Sequence, residues 1–461
     1  MRRLRGDQIG GRRAHRGTVL FIVLWICLGL VTLAIYSAYT VNSELQAAAN
    51  RVGEIEARQA VAGAIRYAAY VLNNYAIDGV IPNSGIPPDP TQDYDSAALQ
   101  VGSGKNDPQF WFIGRDPNNI PTTDPVFGLV DEASKLNLNT VTTAMLNLLP
   151  TQNMTPDFAS AITAWKSKAS SANNAISSLY STLDPARTNK GAVYETTDEL
   201  RLVYGATLDL ILGEDTNRNG AMDANENDGD QSPPHDNQDG VLQPGMLEYV
   251  TAFTNQPTTT ITGTARVDIR TTGTRGNLSR IMQQKGFTAG RARQIITNLG
   301  PTTFTNVADF MVASRMTAAE YALIHTSITA PGTSSVLGLV NVNTASETVL
   351  ACIPGIGPTN APALVAYRVA NPAALTSFAW LSQVLTKTNI HGAGPYITDQ
   401  SYQFSADIAA VGRNGRGYHR EKVVFDTSQG IPRIIYREDL TASGWALGPT
   451  VRQTLKTAHL N

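Results

Sequence analysis

The sequence predicts an α+β fold in which a long N-terminal helix packs on a small antiparallel sheet, with a large, mainly helical domain inserted between the strands. Three features predict it. An uncharged stretch from Thr18 to Ser43 continues without a break into a helical pattern of apolar residues. A repeated motif in the middle of the chain predicts short paired helices. Strand-like segments stand on both sides of that middle part.

Composition excludes several classes of protein. The chain has 461 residues, too many for one compact domain. Only 16% of the residues are charged and 42% are hydrophobic, which excludes a coiled-coil rod and a highly charged disordered chain. The net charge of -2 argues against a protein that coats nucleic acid along its whole surface. Cys27 and Cys352 are the only cysteines, so neither a disulfide scaffold nor a Cys-rich zinc site is expected.

The N-terminus joins a basic segment to an apolar one. Residues 1–16 contain six arginines and one acid, and residues 18–43 contain no charged side chain. The apolar stretch has about the 20 residues that a helix needs to cross a bilayer. Arginines before it and glutamates after it predict that the N-terminus is cytoplasmic. An ordinary signal peptide or signal anchor has the same plan and is the alternative at this point.

The residues after the apolar stretch favour one long helix over a signal peptide. No small-x-small cleavage site follows, and apolar residues continue at helical spacing through residues 44–74, with one change of phase. This plan resembles that of a type IV pilin-like subunit. The resemblance implies a leader, residues 1–17, that is cut after Gly17 to leave Thr18 as the new N-terminus. The fifth residue after the cut is usually Glu, whereas here it is Ile22, which favours a subunit with nothing above it, at a filament tip.

A repeat organises the middle of the chain. Five residues recur at a constant offset of 204: Asn137 and Asn341, Asn139 and Asn343, Thr140 and Thr344, Leu146 and Leu350, Pro150 and Pro354. Each copy predicts a short extended entry, an N-cap at Thr140 or Thr344, and a helix of about two to three turns, with a capping box to Glu347 in the second copy. A weaker copy of part of this repeat begins at Gly286. Residues 131–395 are therefore predicted to form a helical domain of duplicated hairpins.

The second copy continues into a segment that resembles a helix-hairpin-helix motif, with glycines at positions 355 and 357. Backbone N–H groups at such a turn can hold a phosphate, which raises the hypothesis of nucleic-acid binding. The same glycines also allow two short helices to cross closely. Nearby positive charge is limited to Arg368 and Lys387, and the first copy lacks the glycines. Packing is therefore the favoured role, and no nucleic acid is expected.

The best candidate for a chemical site is an acidic loop. Residues 214–239 contain eight acids and a single arginine, Arg218. Six residues fit positions 1, 3, 5, 7, 9 and 12 of a calcium-binding loop: Asp215, Asn217, Asn219, Ala221 through its carbonyl, Asp223 and Glu226. Gly220 permits the sharp turn, and Glu226 is expected to bind through both oxygens. A helix is predicted before the loop but none after it, so the pattern is not a complete EF-hand.

A second group of residues in the same loop offers ligands for another cation without a regular spacing: Asp228, Asp230, Asp236, Asn237 and Asp239. The alternative interpretation is a solvated acidic linker. Eight acids against one arginine repel each other strongly, so one or two structural calcium ions are expected. The loop has no sulfur ligand, which argues against zinc.

Segments on both sides of the helical part have the pattern of antiparallel strands, and they are residues 109–116, 126–130, 401–412, 418–426 and 432–439. A helix packed on a small sheet, with the helical domain inserted between its strands, is the simplest assembly. The predicted organisation is a leader (1–17), a membrane-spanning part (18–43), an amphipathic continuation (44–74), the first part of the α/β domain (75–130), the inserted helical domain (131–395) with its calcium loop (214–242), and a C-terminal β part (396–461).

Four features together resemble the minor pseudopilin K family of type II secretion systems, over nearly the whole chain: the leader with its non-acidic fifth residue and the segments 131–140, 196–205 and 340–358. The resemblance implies a pseudopilin fold with a large helical insertion. It implies cleavage and N-methylation by a prepilin peptidase. It further implies a tip complex with the minor pseudopilins I and J, which primes assembly of the pseudopilus on the inner-membrane secretion platform for protein export. Members of the family bind calcium in the helical domain, whereas the ligands named above come from the loop pattern alone.

The resemblance also implies a location: a single pass through the inner membrane, with a cytoplasmic N-terminus and a periplasmic soluble part. No enzyme is expected, because no nucleophile-elbow, zinc-protease or phosphate-loop motif occurs and the six histidines are scattered. The alternative is a membrane-anchored helix-hairpin-helix DNA-binding protein of the competence type. It predicts an affinity for duplex DNA that falls steeply with salt.

Overall fold

The computed structural model describes residues 16–75, 79, 99–100, 107–118, 123–150, 154–168, 174–331 and 335–458. Residues 1–15 of the predicted leader lie outside this part. The described chain has a long N-terminal helix, an antiparallel sheet and a large helical domain between the strands of that sheet. The predicted fold class is therefore confirmed.

The helices of the described residues differ greatly in length. The α-helices are α1 (Arg16–Tyr75), α2 (Thr143–Leu146), α3 (Pro156–Trp165), α4 (Asn174–Tyr180), α5 (Leu208–Leu212), α6 (Met246–Tyr249), α7 (Arg275–Gln284), α8 (Ala289–Leu299), α9 (Val307–Ser314), α10 (Ala318–Ile324), α11 (Glu347–Ala351), α12 (Gly357–Ala370), α13 (Lys387–Ala393) and α14 (Gly448–Ala458). Short 3₁₀ helices span Glu132–Ser134, Thr197–Leu202, Ala224–Glu226, Thr272–Thr274, His325–Ser327, Pro372–Ala374, Phe378–Gln383, Gly394–Tyr396, Arg413–Gly415 and Thr441–Ser443.

The strands form one main sheet and four small pairs. They are β1 (Leu99–Gln100), β2 (Gln109–Ile113), β3 (Val130–Asp131), β4 (Leu136–Asn137), β5 (Val250–Thr251), β6 (Asn255–Pro257), β7 (Val267–Asp268), β8 (Ile328–Thr329), β9 (Ser335–Leu337), β10 (Val340–Asn341), β11 (Ile397–Thr398), β12 (Gln403–Val411), β13 (Tyr418–Asp426) and β14 (Arg433–Asp439). The main sheet is antiparallel in the order β1-β2-β12-β13-β14, and β3 pairs with β12 beyond the end of β2. The three C-terminal strands match their predicted segments, whereas the predicted strand 126–130 shrinks to β3 and a single bridge at Phe127.

The first part of α1 stands clear of the rest of the molecule. Its apolar side chains from Val19 to Val41 are all exposed, including Ile22. A window of 18 residues in this helix reaches a mean hydropathy of 2.7, so the helix is long and apolar enough to cross a membrane. Gly17 and Thr18 lie in its first turn.

The last part of α1 packs on one face of the sheet. Val61, Ile65, Ala68 and Leu72 are buried there, among the aromatic and aliphatic side chains of β2, β12 and β13. The earlier apolar residues of the amphipathic pattern, including Leu45 and Ile55, stay exposed, whereas Gly53 and Ala57 are buried. The sheet therefore covers the helix from Gly53 onward, before the change of phase in the sequence.

The opposite face of the sheet carries a second apolar cluster. Trp111 of β2 and Ala409 of β12 pack there against Leu447 and against Val451 of α14. This C-terminal helix was not predicted, and it lies in the segment expected to be purely β. Because both faces are covered, every residue of β12 is buried.

The helical domain contains three related units rather than the two that the repeat predicts. Unit 1 (136–251), unit 2 (267–329) and unit 3 (340–398) each begin and end with a two-residue strand, and the two strands pair in parallel as β4–β5, β7–β8 and β10–β11. In each unit the residue after the first strand donates its N–H to the carbonyl of a closing threonine: Leu138 to Thr251, Ile269 to Thr329 and Val342 to Thr398.

The predicted helix starts within the repeat were wrong by two residues. The N-caps are Thr142 for α2 and Ser346 for α11, and both helices are about one turn long. Thr140 and Thr344 instead stay inside a turn, since the N–H groups that follow them bond back to the carbonyls of Asn137 and Asn341. The predicted capping box from Thr344 to Glu347 is therefore not formed.

Candidate metal centre

The acidic loop is an insertion in the last helical part of unit 1. It leaves α5 at Gly213 and returns to α6 at Gly245. Its neck is closed by backbone pairing, with the N–H of Glu214 donating to the carbonyl of Gln243 at 3.0 Å, and by the N–H of Gln243 donating to Oε2 of Glu214 at 2.8 Å. The two ends of the loop are therefore held together by these hydrogen bonds.

The first half of the loop folds around the side chains of its predicted ligands. Asp215 accepts the N–H groups of Asn219 and Gly220 at 3.0 and 2.9 Å, and Asn217 Oδ1 accepts that of Asn219 at 3.0 Å. Asn219 Oδ1 in turn accepts the N–H of Ala221 at 2.7 Å. Gly220 has φ +75°, the sharp turn expected at its position. These five residues are all buried.

The second half returns to the first through a carboxylate. Asp223 caps the 3₁₀ helix that ends at Glu226, and Oε2 of Glu226 accepts the N–H of Asp223 at 2.9 Å. Oε1 of the same carboxylate accepts the N–H of Thr216, at the start of the loop, at 3.1 Å. Oδ2 of Asp223 accepts hydrogen bonds from the side-chain amides of Asn217 and Asn219. Glu226 thus closes the loop, as the pattern predicts for position 12.

The electrostatic environment of the acidic loop disfavours the charged forms of its buried carboxylates. Burial, together with the negative charge of Asp215, raises the pKa of Glu226 to about 8. Burial also raises the pKa values of Asp215 and Asp223. Three acids with raised pKa values in one loop are what an incoming cation would stabilise in their charged form.

The donor set fits a hard cation, although the carboxylates hold backbone N–H groups in this arrangement. In the described part of the chain, no group of three or more His, Cys, Asp or Glu side chains is placed to hold a metal ion by those side chains alone. The predicted set contains only three carboxylates, and its other ligands are two asparagine oxygens and the Ala221 carbonyl. All are oxygen atoms, which calcium prefers. Calcium binding therefore stays a prediction.

The residues of the second predicted group do not share one centre. Asp236 accepts the N–H groups of Asp228 and Gly229, both at 2.9 Å, and so closes one turn. Asn237 and Asp239 belong to the next, exposed turn, where their side chains bond to each other at 3.0 Å. Asp230 instead lies 3.0 Å from the ring of His235, and both side chains are exposed. The structure thus separates these residues into three places, and the second ion also remains a prediction.

Two arginines of the main sheet contact the loop, and the sequence analysis missed both. Arg115 follows β2, and its Nη1 and Nη2 donate to the carbonyls of Asn219 and Arg218 at 3.1 and 3.0 Å. Arg420 of β13 donates to the carbonyls of Asn217 and Arg218. The contacts link residues more than one hundred positions apart, so no local pattern in the sequence could have revealed them.

The helix-hairpin-helix segment of unit 3 is built for packing. A Cβ on Gly355 would clash with backbone atoms of Asn389 and Ala393 in α13, so this turn is covered by the neighbouring helix. Arg368 is buried, and its guanidinium donates to the carbonyls of Val342 and Ala345 at 3.1 and 2.8 Å. The arginine that could have supported a phosphate therefore serves the fold.

One segment of the chain and its overall fold are similar to known proteins. A family model described as a helix-hairpin-helix motif matches residues 337–385, which is most of unit 3. No curated protein matches the chain. Among solved structures, the fold is similar to that of a chain in the crystal structure of the GspK-GspI-GspJ complex from the enterotoxigenic Escherichia coli type 2 secretion system. The match has 10% sequence identity and a TM-score of 0.37, and it covers 87% of this chain and 99% of that one.

Proposed function

We propose that this protein is a minor pseudopilin of a type II protein secretion system, of the K type, located at the tip of the pseudopilus. The observation that carries the proposal is the division of α1. Its exposed apolar part continues without a break into a part that packs on an antiparallel sheet. A subunit of a membrane-assembled fibre requires a membrane anchor that is joined by one continuous helix to a folded part. The folded part, which comprises the sheet and the helical units, is called the head below.

The head is large because the three helical units are inserted between β3 and β12. They lie toward the end of α1 that is farther from its apolar part, since β12 runs from the helical units at Gln403 toward Gly412, which contacts Gly53. From residue 44 to residue 75 the helix rises about 48 Å. A bulky head at that end would hinder a further subunit above it, as suits the last position of a fibre.

The N-terminus supports the same position. Cleavage after Gly17 by a prepilin peptidase would leave Thr18 methylated at its new amine, with Ile22 as the fifth residue. Ile22 offers no carboxylate to neutralise the amine of a neighbouring subunit. The head would lie in the periplasm, with the anchor in the inner membrane beside the secretion platform. Intact-mass analysis of the membrane-extracted chain is expected to show a start at Thr18, and retention of Arg16 and Gly17 would contradict the processing.

The partners would be the minor pseudopilins I and J, with which the chain forms a complex that primes pseudopilus assembly for export of folded periplasmic proteins. The test is co-expression of the full chain with its two cognate partners, extraction in mild detergent and purification through a tag on this chain. A complex with both partners is expected. Recovery of this chain alone, while the two partners purify as a pair, would contradict the proposal.

Calcium is proposed as the structural cofactor of the acidic loop. Asp215, Asn217, Asn219, Asp223 and Glu226 would hold it together with the Ala221 carbonyl, and its charge would replace the protons that the buried acids otherwise keep. Chelator is expected to lower the melting temperature of the wild-type chain but not that of Asp215→Ala or Glu226→Ala. An unchanged melting temperature in the wild type would remove the cofactor from the account.

DNA binding is the second candidate, because unit 2 exposes several positively charged side chains beside a helical hairpin, whereas Arg368 of unit 3 is buried. Arg280, Lys285, Arg293 and Arg315 lie on or next to the α7–α8 hairpin, are exposed, and form no ion pair within the part of the chain that the structure describes. Titration with duplex DNA at several salt concentrations separates the candidates. Binding that weakens steeply with salt, in a chain that forms no complex with the partners, would favour the competence-type alternative.

A further inference from the structure

The acidic loop is held from outside by the sheet. Two guanidinium groups converge on three consecutive carbonyls, those of residues 217, 218 and 219, and the middle carbonyl accepts from both Arg115 and Arg420. Arg218 itself adopts φ +59°, a conformation that L-residues rarely take. The carbonyl that both arginines hold thus belongs to a residue with a left-handed backbone conformation.

Each arginine is also held by a carboxylate that lies outside the loop. Nε of Arg115 donates to the two oxygens of Glu248 at 3.0 and 2.9 Å. Arg420 is fully buried, and it donates to the two oxygens of Asp407, in β12, at 2.8 and 2.6 Å. The Arg420–Asp407 pair is a fork of two parallel hydrogen bonds, which sets the orientation of the guanidinium as well as its charge, whereas Arg115 shares its single Nε–H between the two oxygens of Glu248. The arginines therefore present their remaining N–H groups rigidly.

Side chains of the loop also contact the sheet and the segment that follows it. Arg218 pairs with Glu438 of β14 at 2.6 Å, and the side-chain amide of Asn217 donates to the carbonyl of Trp445 at 3.0 Å. All these contacts lie on the face of the sheet away from α1, where Trp111 and Ala409 are also found. The loop is consequently one place where unit 1 contacts that face, and Asp198 of unit 1, which accepts from the hydroxyl of Tyr436 at 2.7 Å, is another.

The loop backbone separates two sets of oxygen atoms. The side chains of Asp215, Asn217 and Asn219 bond inward, to N–H groups of the loop itself. The main-chain carbonyls of residues 217–219 are directed outward, to the arginines. A cation held by the inner set and a sheet bound to the outer set would therefore act on the same few peptide units.

We propose that Arg115 and Arg420 are positioning residues for calcium: they hold the loop backbone in its binding conformation, and calcium in turn fixes the helical domain on the sheet. The inference rests on the proposed cofactor. Because coupling between two binding events is reciprocal, sheet contacts that favour the ion are strengthened by the ion. Groups that orient metal ligands from outside typically change metal affinity by about 10- to 100-fold when they are replaced.

The test uses the full chain in detergent and the variants Arg115→Lys and Arg420→Lys, which keep the charge and lose the fork. Calcium affinity is measured by competition with a chelating dye. Arg437→Lys is the matched control, because Arg437 lies on the neighbouring strand and pairs with Glu421 without touching the loop. A rise in the calcium Kd of about 10-fold or more is expected for the first two variants, and none for the control.

Hydrogen exchange on the wild-type chain adds a readout that loss of stability alone would not give. Calcium is expected to slow exchange in β2 and β13 as well as in the loop, and in Arg115→Lys the protection of β2 is expected to be lost, because only Arg420 of β13 still contacts the loop. An unchanged Kd in Arg115→Lys, or protection confined to the loop in the wild type, would overturn the inference while leaving the calcium site intact. A wild-type chain that binds no calcium would overturn both. If Arg420→Lys does not fold, Arg115→Lys and the wild-type exchange data decide.

Discussion

A single residue of the acidic loop, Glu226, contributes to how the stability of the protein depends on pH. The pKa of Glu226 is raised from 4.5 to about 8 by burial and by the charge of Asp215. The folded chain therefore holds this proton more tightly than the unfolded chain does. The stabilising contribution is complete below the unfolded pKa and is lost as the pH rises through the folded one.

The first prediction follows from that sign. In a calcium chelator, the melting temperature of the full chain is expected to fall as the pH rises from about 5 to 8. Saturating calcium is expected to reduce or reverse the fall, since the ion favours the charged carboxylates. Glu226→Gln should flatten the profile in chelator and weaken the response to calcium. Identical wild-type profiles with and without calcium would contradict the assignment.

A second prediction concerns Arg368. Burial lowers its pKa to about 10, and its guanidinium satisfies two carbonyls of unit 3 and also contacts Asn118. Arg368→Ala would leave these acceptors buried without a donor, at a cost of about 1–3 kcal/mol for each. Denaturant unfolding should show the loss, with Lys387→Ala, at an exposed position, as the control. A variant as stable as the wild type would restore Arg368 as a candidate surface ligand.

The residue scale also shows what a sequence can reveal about a site. The loop residues Asp215 to Glu226 were found because ligand spacing is local, and the structure brings them together around one turn. Arg115 and Arg420 were missed because hydrogen bonds to main-chain carbonyls place no constraint on the sequence of the partner. The grouping of the second set of residues stays a prediction, since acidic composition alone does not say which side chains face each other.

Among the elements, α1 and the β12–β13 hairpin approach each other closely. A Cβ on Gly53 would lie 2.5 Å from the carbonyl oxygen of Arg416, and Gly412 and Gly417 approach the same turn of the helix. Small residues on both sides let the two backbones touch. This contact sets the height at which the hairpin meets the helix.

The third prediction uses a control on the same helix. Gly53→Ala should destabilise the chain by about 1–3 kcal/mol, because the helix and the hairpin must move apart. Gly63→Ala, where a Cβ meets nothing within 4 Å, should instead stabilise it by about 0.5–1 kcal/mol through helix propensity. Denaturant unfolding of both variants measures the difference. Equal effects would mean that the hairpin does not rest on Gly53.

Elements were predicted well where the pattern is long and less well where it is short. The period of α1 and the alternation in β12 to β14 gave those elements within a few residues. In the sequence, unit 2 is recognisable only as a weak copy of the repeat, because Arg270 occupies the position of the second asparagine of the other units. Asp268 nevertheless accepts the N–H of Arg270 as Asn341 accepts that of Asn343. The helix α14 has Val451 and Leu455 at helical spacing, a signal that was present but overlooked.

At the scale of the whole molecule, the two faces of the sheet have different tasks. One face holds α1, and through it the anchor. The other face holds α14 and the acidic loop, which adds a contact between the sheet and unit 1. A load on the head therefore reaches the anchor through a single sheet, and the loop with its arginines is one of the joints on that path. If calcium binds there, as proposed, it would strengthen one of the contacts between the helical domain and the sheet.

The proposed position at the tip of a fibre gives the fourth prediction. With Ile22 in place, the subunit lacks the carboxylate that would pair with a neighbour's amine, and its large head stands above the sheet. Ile22→Glu restores only the first of these features. The variant is therefore expected to remain outside the shaft, because the head still obstructs a subunit above it, and cross-linking to the major subunit should not increase.

The account is tested most directly by locating the protein on assembled fibres. Pseudopili formed with a tagged copy of this chain would be sheared, labelled with gold against the tag and viewed by electron microscopy, with a tagged major subunit as the control. The account predicts label at one end of each fibre and a loss of fibres when the gene is deleted. Label spaced along the shaft, or normal fibres without this chain, would contradict it.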